Sequence, residues 1–214
     1  MIRLRAALLS IIGTSVLALS PQTWAANDSP TALIRAGIDR ARTVLENPSY
    51  QGNDKRQQRL EKIKESVLPL FDSQEIAKRT LGVYWQERTE AERKEFVEIF
   101  TVLVEKTYAN SIDRYRKDFQ VLFDQERIED NFAEVDSRII DPTQQKTFTL
   151  NYHLHKIGGK WLIYDLVIEN VSLVRNYRNQ FHRILGKKSY ADLVETIRTK
   201  IHQLDTAPQT GTGL

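Results

Sequence analysis

Asp165 is an acid inside an otherwise apolar run, Trp161 to Ile168. A carboxylate in that setting either does chemistry or accepts hydrogen bonds that the fold requires. No second acid and no nucleophile is spaced beside it, so it reads as a structural acceptor, for an arginine or for a helix start. His153 and His155 alternate onto one face of a strand and could offer two nitrogens to a metal. No third or fourth ligand follows at a telling spacing, which leaves them as solvent-facing imidazoles. His182 and His202 stand alone on helical segments. A Gly-x-Ser-x-Gly elbow, a phosphate-cradling glycine loop, Cys-x-x-Cys and His-Glu-x-x-His are all missing from the chain. The residues therefore predict no catalysis, no metal and no cofactor. Two other classes stay open: an exported small-molecule enzyme using Asp165, and a structural adaptor with a filled core.

The elements around these residues are written most clearly from Phe148 to Phe181. Gly158-Gly159 is a two-residue turn able to take positive φ twice. Upstream, Phe148, Leu150, Tyr152 and Leu154 share one face of a strand. Downstream, Trp161 to Ile168 is apolar on both faces apart from Asp165, as in a central strand covered on each side. After Val171 and Ser172 the period changes, and Leu173, Val174, Tyr177, Phe181, Ile184 and Leu185 line one side of a helix.

Export is legible at the start. Arg3 and Arg5 precede an apolar run from Ala6 to Leu19, too short to span a bilayer but the length of a secretion-signal core. Thr23-Trp24-Ala25 offers small residues for cleavage before Ala26, so residues 1–25 read as a cleaved signal peptide and the chain as periplasmic. Without Arg3 and Arg5 there are 29 basic residues against 28 acidic, a net charge near +1. That balance removes the case for nucleic acid. The chain has no cysteine, which excludes disulfides and thiol catalysis.

Helices come first and strands second. Ser29-Pro30 starts one helix, Asp54 opens a charged second with the stripe Leu60, Ile63, Val67 and Leu70, and Asp72 with Glu75 starts a third. Thr89 to Glu92 is a capping box before the longest helix, whose apolar band includes Phe96, Ile99, Phe100, Leu103, Val104, Tyr108 and Tyr115. Strands run from Asp118 through Ile168 with a turn at Glu129 to Asn131, and Ser189 caps a last helix. The expected architecture is α+β: one domain over 26–205, with helices packed on one face of a curved antiparallel sheet of about four strands, and a disordered tail at 206–214. The long helix either packs down and fills the space or stands off and leaves an apolar cavity; the pattern allows both.

Two ordered signatures resemble the toluene-tolerance family of MlaC-like periplasmic proteins. The first is Leu81-Gly82-Val83-Tyr84-Trp85 with Thr89, Glu92-Arg93, Phe96, Phe100 and Thr107-Tyr108. The second is Gly159-Lys160-Trp161, Tyr164-Asp165, Val167-Ile168-Glu169, Val171 to Val174, Asn176-Tyr177-Arg178 and Gln180-Phe181. Asn170 replaces the glycine expected in that pattern, and asparagine also tolerates positive φ.

The resemblance implies a monomeric carrier of a diacyl phospholipid, with no cofactor. Its implied partners are an outer-membrane Mla lipoprotein complex and an inner-membrane Mla ABC transporter complex. It implies a lipid cavity with the long helix facing the third and fourth strands. Tail contacts would come from Phe96, Phe100, Leu103, Val104 and Tyr108 on that helix. Phe148, Leu150, Tyr152, Ile163, Val171, Val174 and Tyr177 would supply the rest. Arg175 and Arg178 would meet the headgroup phosphate.

Overall fold

The computed structural model describes residues 29–113 and 119–206. The expected signal peptide, Tyr115 of the expected apolar band, and the tail from 207 lie outside these residues. Helix starts follow the capping chemistry except in the second helix. Ser29 accepts from the Ala32 amide at 3.1 Å and Pro30 takes the first position of α1 (Pro30–Glu46). At α2 (Arg56–Val67) Lys55 rather than the expected Asp54 is the N-cap and no side chain caps the helix, which runs into a tight turn, Leu68–Leu70. Asp72 then accepts from the Glu75 amide at 2.8 Å to start α3 (Ser73–Leu81). The reciprocal box closes at α4 (Glu90–Asp113): the Thr89 amide donates to Glu92 at 2.8 Å and the Glu92 amide to Thr89 Oγ1 at 3.2 Å.

Five antiparallel strands follow in sequence order: β1 (Gln120–Glu129), β2 (Phe132–Asp141), β3 (Lys146–Ile157), β4 (Lys160–Ile168) and β5 (Val171–Ser172). The strand beyond the expected four is two residues long and leads straight into α5 (Leu173–Leu185), before α6 (Tyr190–Thr206). Thr206, expected to open the tail, ends that helix. The turns are those the residues favour, with positive φ at Gly158 and Gly159 (55° and 82°) and at Asp130 (51°). Asn170, in place of the expected glycine, takes φ 64° beside Glu169 at 47°.

Two expectations about neighbours need correction. β4 is not central: β5 pairs only with Val167 and Ile168, so most of β4 borders the sheet edge. α3 and α5 run alongside it, with the Asp72 amide donating to the Ile163 carbonyl at 2.9 Å, and Trp161, Ile163 and Asp165 are buried while the rest of the strand is half-buried or exposed. Nor does the Phe96–Phe100 part of α4 face the third and fourth strands. The helix packs on α6 and α3 and touches α2. Its Phe96 and Phe100 stack at 5.7 Å, and Tyr177 and Phe181 of α5 meet them edge-on at 5.0 to 5.8 Å. Edge-to-face packing of four rings ties the Phe96–Phe100 part of α4 to α5, and α5 in turn packs on β4.

Burial thus divides in two. A helical cluster joins α3, α4, α5 and α6 around Ala77, Leu81, Phe96, Phe100, Tyr177 and Leu193. A second cluster holds one end of the sheet's inner face, Val135, Tyr152, Leu154, Trp161 and Ile163, under Ile34 of α1 and Leu70.

Candidate functional site

The register gives the inner face row by row. Ala133, Leu154 and Ile163 face one another across β2, β3 and β4, and all three are buried. In the next row Val135 and Tyr152 are buried and Leu166 is half-buried. Beyond it come Phe123, Ser137, Leu150 and Ile168, of which only Ser137 is buried, its hydroxyl donating to the Leu150 carbonyl at 2.6 Å. The last row, Val121, Ile139 and Phe148, is entirely aliphatic or aromatic and entirely half-buried. One end of an apolar sheet face is therefore covered by α1 and Leu70, while the other is left partly open.

The opposite face is polar. Arg127 bridges Glu134 at 3.1 Å and Asp136 at 2.8 Å, and His153 lies 3.7 Å from Glu134 and 3.9 Å from Asp165. His155 corrects an expectation: it is not solvent-facing but 8% exposed, with Nε2 3.0 Å from Asp72 Oδ2 and its ring edge-on to Tyr164. The N-cap of α3 descends onto β3 and uses its second carboxylate oxygen there. Among the described residues no group of three or more His, Cys, Asp or Glu could hold a metal ion. The inner face suits an apolar ligand, whereas the outer one carries this charged network beside the exposed Leu122 and Phe132.

Asp165 is a structural acceptor for a helix start. Its Oδ2 accepts from the Ser172 hydroxyl at 2.5 Å and its Oδ1 from the Val174 amide at 3.0 Å, while Ser172 caps α5 through the Arg175 amide at 3.0 Å. Both carboxylate oxygens are occupied in fixing where α5 leaves the sheet.

The twelve residues expected to touch acyl tails are dispersed. Phe96, Phe100, Leu103, Val174 and Tyr177 are buried in the helical cluster, with Val104 and Tyr108 half-buried at its margin. Burial pushes the Tyr108 and Tyr177 phenols above their usual range; Tyr177 adds to the effect on Tyr108, and a Thr107 hydrogen bond opposes it at Tyr177. Tyr152 and Ile163 are buried in the sheet cluster, Leu150 lies at its margin and Phe148 in the open row. Val171 is 55% exposed, because it follows the tight turn at the sheet edge. Arg178 is committed elsewhere: its Nε donates to the Arg79 carbonyl at 2.6 Å, capping the end of α3. Arg175 is exposed on the first turn of α5.

Sequence reasoning missed Val121, Ile139, Leu166 and Ile168. The alternation of each strand was visible, but only the pairing of Val121 with Ile139 and Ile139 with Phe148 assembles them into one patch. A separate open depression of about 350 Å³ lies between the start of α4 and α6, among Glu92, Glu95, Tyr190, Glu195 and Arg198. It is acidic, and sixteen helical residues, roughly 24 Å, separate Glu92 from Tyr108.

Comparison with known proteins bears on what fills such a face. The chain is 24% identical over 194 residues to the intermembrane phospholipid transport system binding protein MlaC of Haemophilus influenzae, covering 89% of this chain and 88% of that protein. Its fold matches the phospholipid-binding protein from Ralstonia solanacearum, solved in complex with a phospholipid, with a TM-score of 0.73. That match covers 82% of this chain and 98% of the other at 21% identity, and speaks for the fold. The MlaC protein family matches residues 35–199, a span that holds both signatures and every strand, and the chain belongs to that family.

Proposed function

We propose that the protein is a periplasmic phospholipid carrier, exported by a cleaved signal peptide. It shuttles lipid between outer-membrane and inner-membrane Mla complexes, so maintaining outer-membrane lipid asymmetry. The observation that carries this reading is the open end of the sheet's inner face. Val121, Ile139, Phe148, Leu150 and Ile168 form an apolar surface left half-covered, next to rows of the same face that are buried. A soluble chain gains nothing from leaving such a surface wet. Acyl chains lying there would complete the layer between the sheet and the half-buried Val104 and Tyr108.

The physics requires a protein for this task. Acyl chains in water cost about 0.8 kcal/mol per methylene, so two chains of roughly 16 carbons cost on the order of 25 kcal/mol when bare. The carrier must cover the chains and can leave the headgroup in solvent. Transfer then needs no covalent step, and its direction follows from relative affinities along the route. Asp165, with both oxygens engaged in starting α5, has no place in a reaction.

Support comes from the open row, the polarity of the opposite face, the family, and the names of the two relatives. The test is organic extraction of protein purified from bacterial cells, followed by mass spectrometry. Near-stoichiometric diacyl phospholipid is expected. Repeated absence of lipid from folded protein would overturn the reading.

A further inference from the structure

The chain as a whole is nearly balanced, with 31 basic and 28 acidic residues, but one helix is not. α5 and the turn after it, residues 173–188, carry Arg175, Arg178, Arg183, Lys187 and Lys188, and no acid. The fold turns this segment outward along one side. Leu173, Val174, Tyr177 and Phe181 are buried in the helical cluster, and at 100° per residue Arg175, Asn179, His182 and Arg183 fall on the opposite face, where all are exposed. Among the described residues Arg175, Arg183 and Lys187 make no ion pair. Acids on neighbouring elements are engaged elsewhere: Glu75 holds Lys78 and Arg79, and Asp192 caps α6 through Ser189.

Beside this face the structure exposes an aliphatic tip. Val83, in the turn Gly82–Trp85, is 72% exposed, the highest value among the large apolar side chains described. Its position next to α5 is fixed on both sides. Arg178 packs within 4 Å of where a Gly82 side chain would begin, and the Tyr84 and His182 rings are 5.6 Å apart. This is a cationic helix face with an exposed apolar residue at its border. It fits a flat, anionic, partly apolar surface.

The geometry points to a membrane-docking face: the outer side of α5 with Val83 at its border lands the protein on a bilayer of anionic phospholipid. Its purpose rests on the carrier reading, since a carrier gains from residence beside its source and sink, but its charge argument does not. The surface holds lipid headgroups in the plane of a bilayer and is distinct from the apolar row that would hold the cargo chains.

The test is co-sedimentation of the mature protein with phosphatidylcholine vesicles prepared with and without phosphatidylglycerol, at low and at high salt. The wild-type protein is expected to sediment with the anionic vesicles only, and to be released by salt. The triple change Arg175→Gln, Arg183→Gln, Lys187→Gln is expected to weaken that binding about 100-fold at low salt, and Val83→Asp alone to weaken it. All four sites are exposed, and circular dichroism checks the fold of each variant. No wild-type binding to anionic vesicles at low salt would overturn the proposal. So would undiminished binding of the triple variant, or dependence of the three charges on capture of an acidic protein while vesicles are ignored. Lipid extracted from the same preparations separates the two readings. Cargo without vesicle binding sinks the docking face alone, and vesicle binding without cargo sinks the carrier alone.

Discussion

At the residue scale, Tyr190 couples packing to titration. Its hydroxyl donates to the Glu92 carbonyl at 2.9 Å, its ring lies 6.5 Å from Phe96, and the Arg88 guanidinium stands 4.8 Å over it. Burial pushes the phenol up to about 12, with Glu95 and Glu92 adding and Arg88 opposing. A folded pKa above the unfolded value of about 10 contributes stability that is complete below pH 10 and is lost as the pH rises through about 12. Tyr190→Phe should therefore cost about 1 kcal/mol at neutral pH, through the lost hydrogen bond. The same change should make the decline in urea midpoint above pH 10 shallower than in the wild type. An equally steep decline would remove Tyr190 from the alkaline response. Single residues were legible to different depths. Asp165 read as a structural acceptor because an acid in an apolar strand has few other uses, though the residues alone left an arginine and a helix start as equal donors and the structure gives the helix start. His155 did not read correctly, since nothing in its own strand shows that Asp72, 83 positions earlier, arrives at 3.0 Å.

At the element scale, boundaries were the most legible part. Capping boxes at Thr89 and Ser189, the Pro30 start, and the glycine turn are local chemistry that needs no distant partner. Which element each apolar band meets was not local. α4 offered a broad band, and the sheet and α5 were both apolar enough to receive it. The ring set of Phe96, Phe100, Tyr177 and Phe181 decided for α5. This separates core from site in a measurable way. Phe100→Ala, at a position 2% exposed, should cost about 3–5 kcal/mol in chemical denaturation, yet leave the lipid held per folded molecule unchanged. Phe148→Ala, in the open row, should cost only about 1–2 kcal/mol, because the ring is already half in solvent. It should also lower the lipid recovered per folded molecule. The reverse pattern would move the acyl chains into the helical cluster.

At the scale of the whole molecule, the account rests on an asymmetry between the two faces of one sheet. The outer face is occupied by Arg127, Glu134, Asp136 and His153 in a charged network, and the inner face carries apolar rows whose burial fades toward Val121, Ile139 and Phe148. The α+β class and the order of helices before strands followed from periodicity, and the family from two signatures. The open row did not, because core and lining use the same residue types and differ only in what covers them. The most direct measurement places a photoreactive phenylalanine analogue at position 148 and, as a control, at Leu122, which pairs with Arg138 among residues of the opposite face. After irradiation in cells, intact mass spectrometry should show one added phospholipid at position 148 and none at 122. An unmodified mass at 148, or equal labelling at both positions, would contradict the claim that acyl chains lie on the inner face of the sheet.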